Sequence, residues 1–281
     1  MSGLGYRDLS IHTHGLINPL QVPGRWYTDL ESFLLLPKGF ERHQRMMPLL
    51  VEFRSLPEQK KIKLLEIADE WACGSDKPFF SALLATDVEM QSAGRHLKAR
   101  MILKRSDASR VWLRFHDPCI YQHLCWLLSP AQMVWLMGPV SAWTWRDPFS
   151  GCWMTHHRPS GVEPDMGGLS MQQWRKVEEL EFLNRYLRQS HDDKASVAHS
   201  VCRQVLDGAL EATSLGLTKF RDKHAYVEKR LLHGPHYIDS EGHKISLDLM
   251  ERRKVSYFSA VKITARNGLQ APGWAETREV V

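Results

Sequence analysis

Two proline-bearing stops in the middle of the chain restrict its fold more than any other feature. Residues 99–105 and 110–116 are both strand-like, and Ser106-Asp107-Ala108-Ser109 joins them with turn formers, which predicts a β-hairpin. In the second strand Val111, Leu113 and Phe115 share one face, and Trp112, Arg114 and His116 share the other. Asp117-Pro118 then ends the strand. Asp is a good N-cap and Pro a good first helical residue, so the pair turns the chain into a helix over 119–128. Ser129-Pro130-Ala131-Gln132 repeats the device with capping-box spacing. Gly138-Pro139 closes the second short helix, because Gly tolerates a left-handed cap and Pro cannot continue. Residues 140–145 read as the region's last strand, with Trp143 and Trp145 on one face.

Upstream, residues 1–24 read as a poorly patterned arm. Residues 25–36 are apolar and suit a strand running into a short helix, and 48–53 have strand length. Ser55 and Glu58 have capping-box spacing, Pro57 fits a first helical turn, and Ile62, Leu65, Ala68 and Trp71 recur at helical spacing up to Gly74. Residues 79–85 give another strand, so strand, helix and strand suggest a parallel crossover unit, followed by a helix over 87–97. Residues 147–169 carry prolines and glycines (Pro148, Gly151, Pro159, Gly161, Pro164, Gly167 and Gly168) without an apolar period, and read as a linker or long surface loop.

The remainder, 170–281, is helical in pattern. Ser170 and Gln173 form a capping box ahead of Met171, Trp174, Val177, Leu180, Leu183 and Leu187. Val197, Val201, Val205, Ala209 and Ala212 make a second stripe. Phe220, Val227 and Leu231 mark a third helix ended by Gly234-Pro235, and 246–263 a fourth, in which Val255-Ser256-Tyr257-Phe258 also favours strand. The tail from Asn267 reads as loose. The expected class is α+β. A mixed N-terminal lobe, 25–146, carries a hairpin and short helices, and a mainly helical lobe follows the linker.

Composition narrows the function. At about 150 residues per domain, 281 residues make one large domain or two small ones. With 43% hydrophobic and 25% charged residues the chain is an average globular sequence, which excludes wholesale disorder and fibrous repeats. No run approaches the roughly 20 apolar residues of a membrane span, and Met1 to Tyr27 does not read as a signal peptide. The net charge of +5 is mild, and its densest clusters, Lys60-Lys61 and Arg252-Arg253-Lys254, sit in helical patterns flanked by acids. Acids at Glu178, Glu179, Glu181, Asp192 and Asp193 further argue against a nucleic-acid partner. Five cysteines without a C-x-x-C pair suit a reduced, cytoplasmic protein. Ten tryptophans are many, and such side chains serve as core filling or as interface anchors.

Phosphate-cradling and nucleophile-elbow motifs are absent from the sequence. Histidine offers the one route to chemistry. His12-Thr13-His14, His156-His157 and His191-Asp192-Asp193 hold residue types that ligate zinc, which gives the alternative reading of a metal-dependent hydrolase. The first two clusters fall on the arm and the linker, whereas metal sites need rigid elements, so surface histidine is the plainer reading. Asp117 is explained by capping alone. No catalytic residue, metal or cofactor is expected.

The stretch from His96 to Trp145 resembles the adaptor, or chaperone, family of bacterial type VI secretion systems, long catalogued as a domain of unknown function. The resemblance rests on His96-Leu97 at a helix end, on Leu113-Arg114-Phe115-His116-Asp117-Pro118-Cys119, and on Gly138-Pro139-Val140 followed by Trp143. Pro48-Leu49-Leu50-Val51 resembles the family's first core strand, and Tyr27 and Asp29 its opening segment, so the likeness spans about 25–146. Two positions depart: Leu113 replaces an aromatic, and Cys119 an Arg. The resemblance implies a cytoplasmic, non-enzymatic protein that binds a toxic effector, by an N-terminal segment of it. Such a protein helps load the effector onto the valine-glycine-repeat (VgrG) spike. Residues 170–281 take no support from it.

Overall fold

Every residue of His14–Ile17 is buried, which is the signature of a strand covered on both faces and flanked on both edges. It is the first strand of the computed structural model, which describes residues 5–75, 77–105, 107–165, 168–190 and 198–266. The described residues fall into two compact units, divided between Trp174 and Arg175.

The first unit begins with α1 (Tyr6–Ile11), β1 (His14–Ile17), β2 (Ser32–Leu34), β3 (Leu49–Glu52), α2 (Glu58–Gly74) and β4 (Ala82–Thr86). There follow α3 (Met90–Met101), the hairpin β5 (Ile102–Lys104) and β6 (Arg110–Trp112), α4 (Pro118–Leu127), α5 (Pro130–Met137), β7 (Val140–Arg146) and β8 (Trp153–His157). Six strands form one sheet in the order β2-β3-β1-β4-β7-β8, antiparallel at every pairing, while β5 and β6 make a separate ribbon. Helices follow from α6 (Met171–Glu178) onward, so the class is α+β, as the residue pattern indicates.

Several expectations need correction. The stretch read as an arm supplies β1, a central strand, and the stretch read as a linker supplies β8, an edge strand. Neither alternates: β1 is buried on both faces, and β8 has partly exposed side chains throughout. β3 and β4 do run the same way and are joined by α2, but both pair antiparallel with β1, which lies between them. The unit is therefore a split crossover. Ser55 makes no capping box; α2 starts at Glu58 after an uncapped Pro57. A short 3-10 turn at Gly24–Trp26 precedes β2, the reverse of the expected strand-then-helix order. α3 runs on to Met101 and β6 stops at Trp112, so the hairpin is shorter than its pattern.

One face of the sheet carries Ile17, Val51, Phe53, Phe80 and Leu83, covered by Leu64 and Ala68 of α2 and by Leu9 of α1. Gly15 makes this possible, since a Cβ there would stand 2.6 Å from the Phe53 ring and 2.8 Å from that of Phe80. On the other face Tyr121 of α4 stacks on Trp143 at 4.5 Å, and Phe115 meets the same indole edge-on at 5.8 Å. Burying rings of this size contributes about 1.5–3 kcal/mol each.

The second unit holds the end of α6, α7 (Leu180–Ser190), α8 (His199–Ser214), α9 (Phe220–His233), α10 (Glu241–Arg253) and α11 (Tyr257–Arg266). The stripe from Met171 to Leu187 is two helices, because Glu179 breaks it. Its buried carboxylate accepts from Lys223 Nζ at 2.7 and 2.8 Å and from Thr213 Oγ1 at 2.7 Å. The expected single helix over 246–263 is likewise two, parted at Lys254, whose φ of 53° ends α10. Ser256 then caps α11 by accepting from Ser259 N at 3.2 Å. Tyr226, Tyr237 and Tyr257 centre the unit's core. Val197 and the tail from Asn267 lie outside the described residues.

Candidate functional site

The motif residues divide into three groups. Leu97, Phe115, Pro118 and Trp143 are buried and serve the core. Asp117 caps α4 as expected: its Oδ1 accepts from Cys119 N at 3.0 Å, while Oδ2 accepts from Arg114 Nη2 at 2.7 Å. His96, Gly138 and Pro139 meet at an open cleft beside the end of α5, and this cleft is the candidate site.

α5 is fixed at its start by the expected capping box, Gln132 N to Ser129 Oγ at 3.2 Å and Ser129 N to Gln132 Oε1 at 3.0 Å. At its other end the orphan carbonyls are collected from outside the helix. His96 Nε2 donates to Leu136 O at 3.1 Å, Arg100 Nε to Trp135 O at 3.2 Å, and Arg158 Nη1 to Gly138 O at 2.6 Å. The two guanidinium groups suit the negative end of the helix dipole. His96 and Arg100 are one turn apart on α3, which puts both on the same helical face. A carbonyl only accepts, so Nε2 of His96 carries its proton. Burial holds the imidazole below its usual range against the opposing effect of that hydrogen bond.

Gly138 adopts φ of 55°, and a Cβ there would sit 2.2 Å from the His96 ring. Glycine is thus required twice, by conformation and by contact. Thr86 Oγ1 donates to Pro139 O at 2.9 Å and ties the stop to the end of β4.

The cleft has a volume of about 550 Å³. Arg100 lies over the Trp135 ring at 4.4 Å, and Arg158, Val162 and Pro164 also line the cleft. Among the described residues lining it there is no carboxylate and no thiol. The cleft sets guanidinium groups beside apolar side chains. Sequence reasoning found His96, Gly138 and Pro139 but not Arg100 or Arg158. The four-residue spacing from His96 was the one available signal for Arg100.

The histidines of the hydrolase reading do not converge. His12 Nε2 bonds Thr144 Oγ1 at 2.8 Å, and that hydroxyl meets Thr155 Oγ1 at 2.8 Å. His14 Nδ1 meets Thr13 Oγ1 at 2.9 Å; burial, and next the charge of Arg54, lower its pKa to about 4. His156 and His157 are successive residues of β8 and so point to opposite faces. Among the described residues no group of three or more His, Cys, Asp or Glu is placed to hold a metal ion, and His191, Asp192 and Asp193 lie outside them. Burial pushes the Cys125 thiol up to about 12, where it is unreactive. No helix among the described residues is long and apolar enough to cross a membrane.

Residues 20–133 match the model of a family described as a domain of unknown function (DUF4123), which is under half of the chain. No curated protein and no solved structure matches the chain. The matched stretch runs from before β2 into α5 and ends ahead of Gly138.

Proposed function

We propose that this chain is a non-enzymatic adaptor of a type VI secretion system. In this reading it binds one toxic effector in the cytoplasm of the producing cell and helps load it onto the VgrG spike. The observation that carries the proposal is the coincidence of the match over 20–133 with the ordered adaptor-like motif that starts at His96. The cleft at the end of α5 supports it, because three members of that motif, His96, Gly138 and Pro139, line a surface equipped to bind. The effector contributes an N-terminal segment, and the helical region 170–281 supplies specificity. A stable complex of this kind buries on the order of 1,200–2,000 Å² in total.

Co-expression with a toxin found encoded beside this chain tests the reading. The two proteins should co-purify, the toxin should be less soluble alone, and deleting the chain should stop delivery of that toxin. Failure to co-purify together with unchanged delivery refutes the adaptor role.

A further inference from the structure

The second unit carries a surface cluster that nothing above uses. Arg185 of α7 lies over the Phe220 ring with its Cζ 3.9 Å from the centroid. Arg221 of α9 and Lys262 of α11 both sit on Phe258, at 4.5 and 4.4 Å. The three cations are exposed and the two rings half-buried. Among the described residues none of the three cations has a carboxylate within ion-pair distance. An open cleft of about 490 Å³ is lined by Arg185, Gln189, Phe220, Arg221, His224 and Phe258, and Lys262 joins the cluster through the Phe258 ring without lining the cleft. Phe258 is held from behind, because its N–H donates to the buried Asp222 Oδ1 at 2.9 Å.

A ring face holds a cation in place without neutralising it. Like charges gathered on neighbouring rings repel, and an anion bound beside them relieves that repulsion. Stacked guanidinium groups keep their N–H edges free for bidentate pairing with a carboxylate. The cleft floor is aromatic, so the anion it suits has an apolar neighbour. We propose that this patch docks a segment of a partner protein in which acidic residues flank an aromatic or aliphatic one. The patch favours a peptide over nucleic acid by its extent. Two arginines lining one small cleft, with Lys262 on the Phe258 ring beside it, are fewer than the row of phosphate contacts a nucleic-acid strand needs, and Glu181 and Glu228 stand on the same helices, α7 and α9.

The test uses the full chain and a panel of labelled short peptides: acidic with Phe, Trp or Leu, acidic with only polar neighbours, and apolar without acid. A single-stranded oligonucleotide completes the set. The acidic–apolar peptides should bind best, more weakly as salt rises, and about tenfold or more weakly to R185Q/R221Q/K262Q. The reversed variant R185E/R221E/K262E should prefer lysine-bearing peptides. The proposal is overturned if polar acidic peptides bind equally well, if the glutamine variant binds unchanged, or if the oligonucleotide outbinds every peptide. No toxin is involved, so this result and the adaptor test stand or fall separately.

Discussion

Gly138 shows how much one residue can fix. Its positive φ and its contact with His96 hold the end of α5 against α3 and shape the cleft. Gly138→Ala should destabilise the first unit by about 1–3 kcal/mol, read by urea unfolding. Gly161→Ala, also at positive φ but facing open space, should cost less. Equal losses would show that the His96 contact is not the cause. Asp117→Ala should cost about 0.5–2 kcal/mol. Asp117→Asn keeps the cap and loses only the half-exposed ion pair with Arg114, so it should cost less. Titration gives a third residue-scale expectation. Burial holds His14 at about 4 and His116 at about 3, against 6.5 when unfolded. Below about pH 6.5 the unfolded chain then binds more protons than the folded one, so stability falls with acid until the folded values are passed. Each histidine contributes up to about 1.4 kcal/mol per pH unit in that window. Urea midpoints at pH 7, 5.5 and 4.5 check this, and His14→Gln should flatten the slope above pH 4. A flat wild-type profile contradicts the buried, neutral assignment.

Among elements, β8 closes one side of the sheet. It is an edge strand, paired only with β7, and its register is pinned inside the sheet by the hydroxyl contact of Thr155 with Thr144, which His12 also reaches. Thr155→Val should lower stability by about 1 kcal/mol. Amide exchange should quicken in β8 while β4, paired on both edges, is unaffected; uniform quickening across the sheet would argue against a local role. The short helices behave differently. α4 and α5 carry their own caps and prolines, and the devices seen at Asp117, Ser129 and Ser170 all form as their spacing predicts. α2, without a side-chain cap, depends on Leu64 and Ala68 packing under the sheet.

For the whole molecule, His12 and His14 bond separate hydroxyls and His156 and His157 point to opposite faces of β8, so purified protein should hold well below one zinc or manganese ion per chain. Its melting temperature should be unchanged by chelator, and a stoichiometric ion lost with a drop in stability would revive that reading. Two units on one chain suit the adaptor role, with the motif cleft in the first and the cation–aromatic patch in the second. The parts of this protein that its sequence determines by itself are those closed within about four residues: the caps of α4, α5 and α6, the Gly138 stop and the β5–β6 turn. Their hydrogen bonds join near neighbours, so residue type and spacing suffice. Tertiary structure alone decided that 14–17 would be a central strand, that 153–157 would be an edge, and that three cations would gather on two phenylalanines. His12 reaches Thr144 across 132 positions, and Arg185 reaches Phe220 from another helix. Such pairs arise only when burial of apolar faces brings distant elements together, and no local pattern records it.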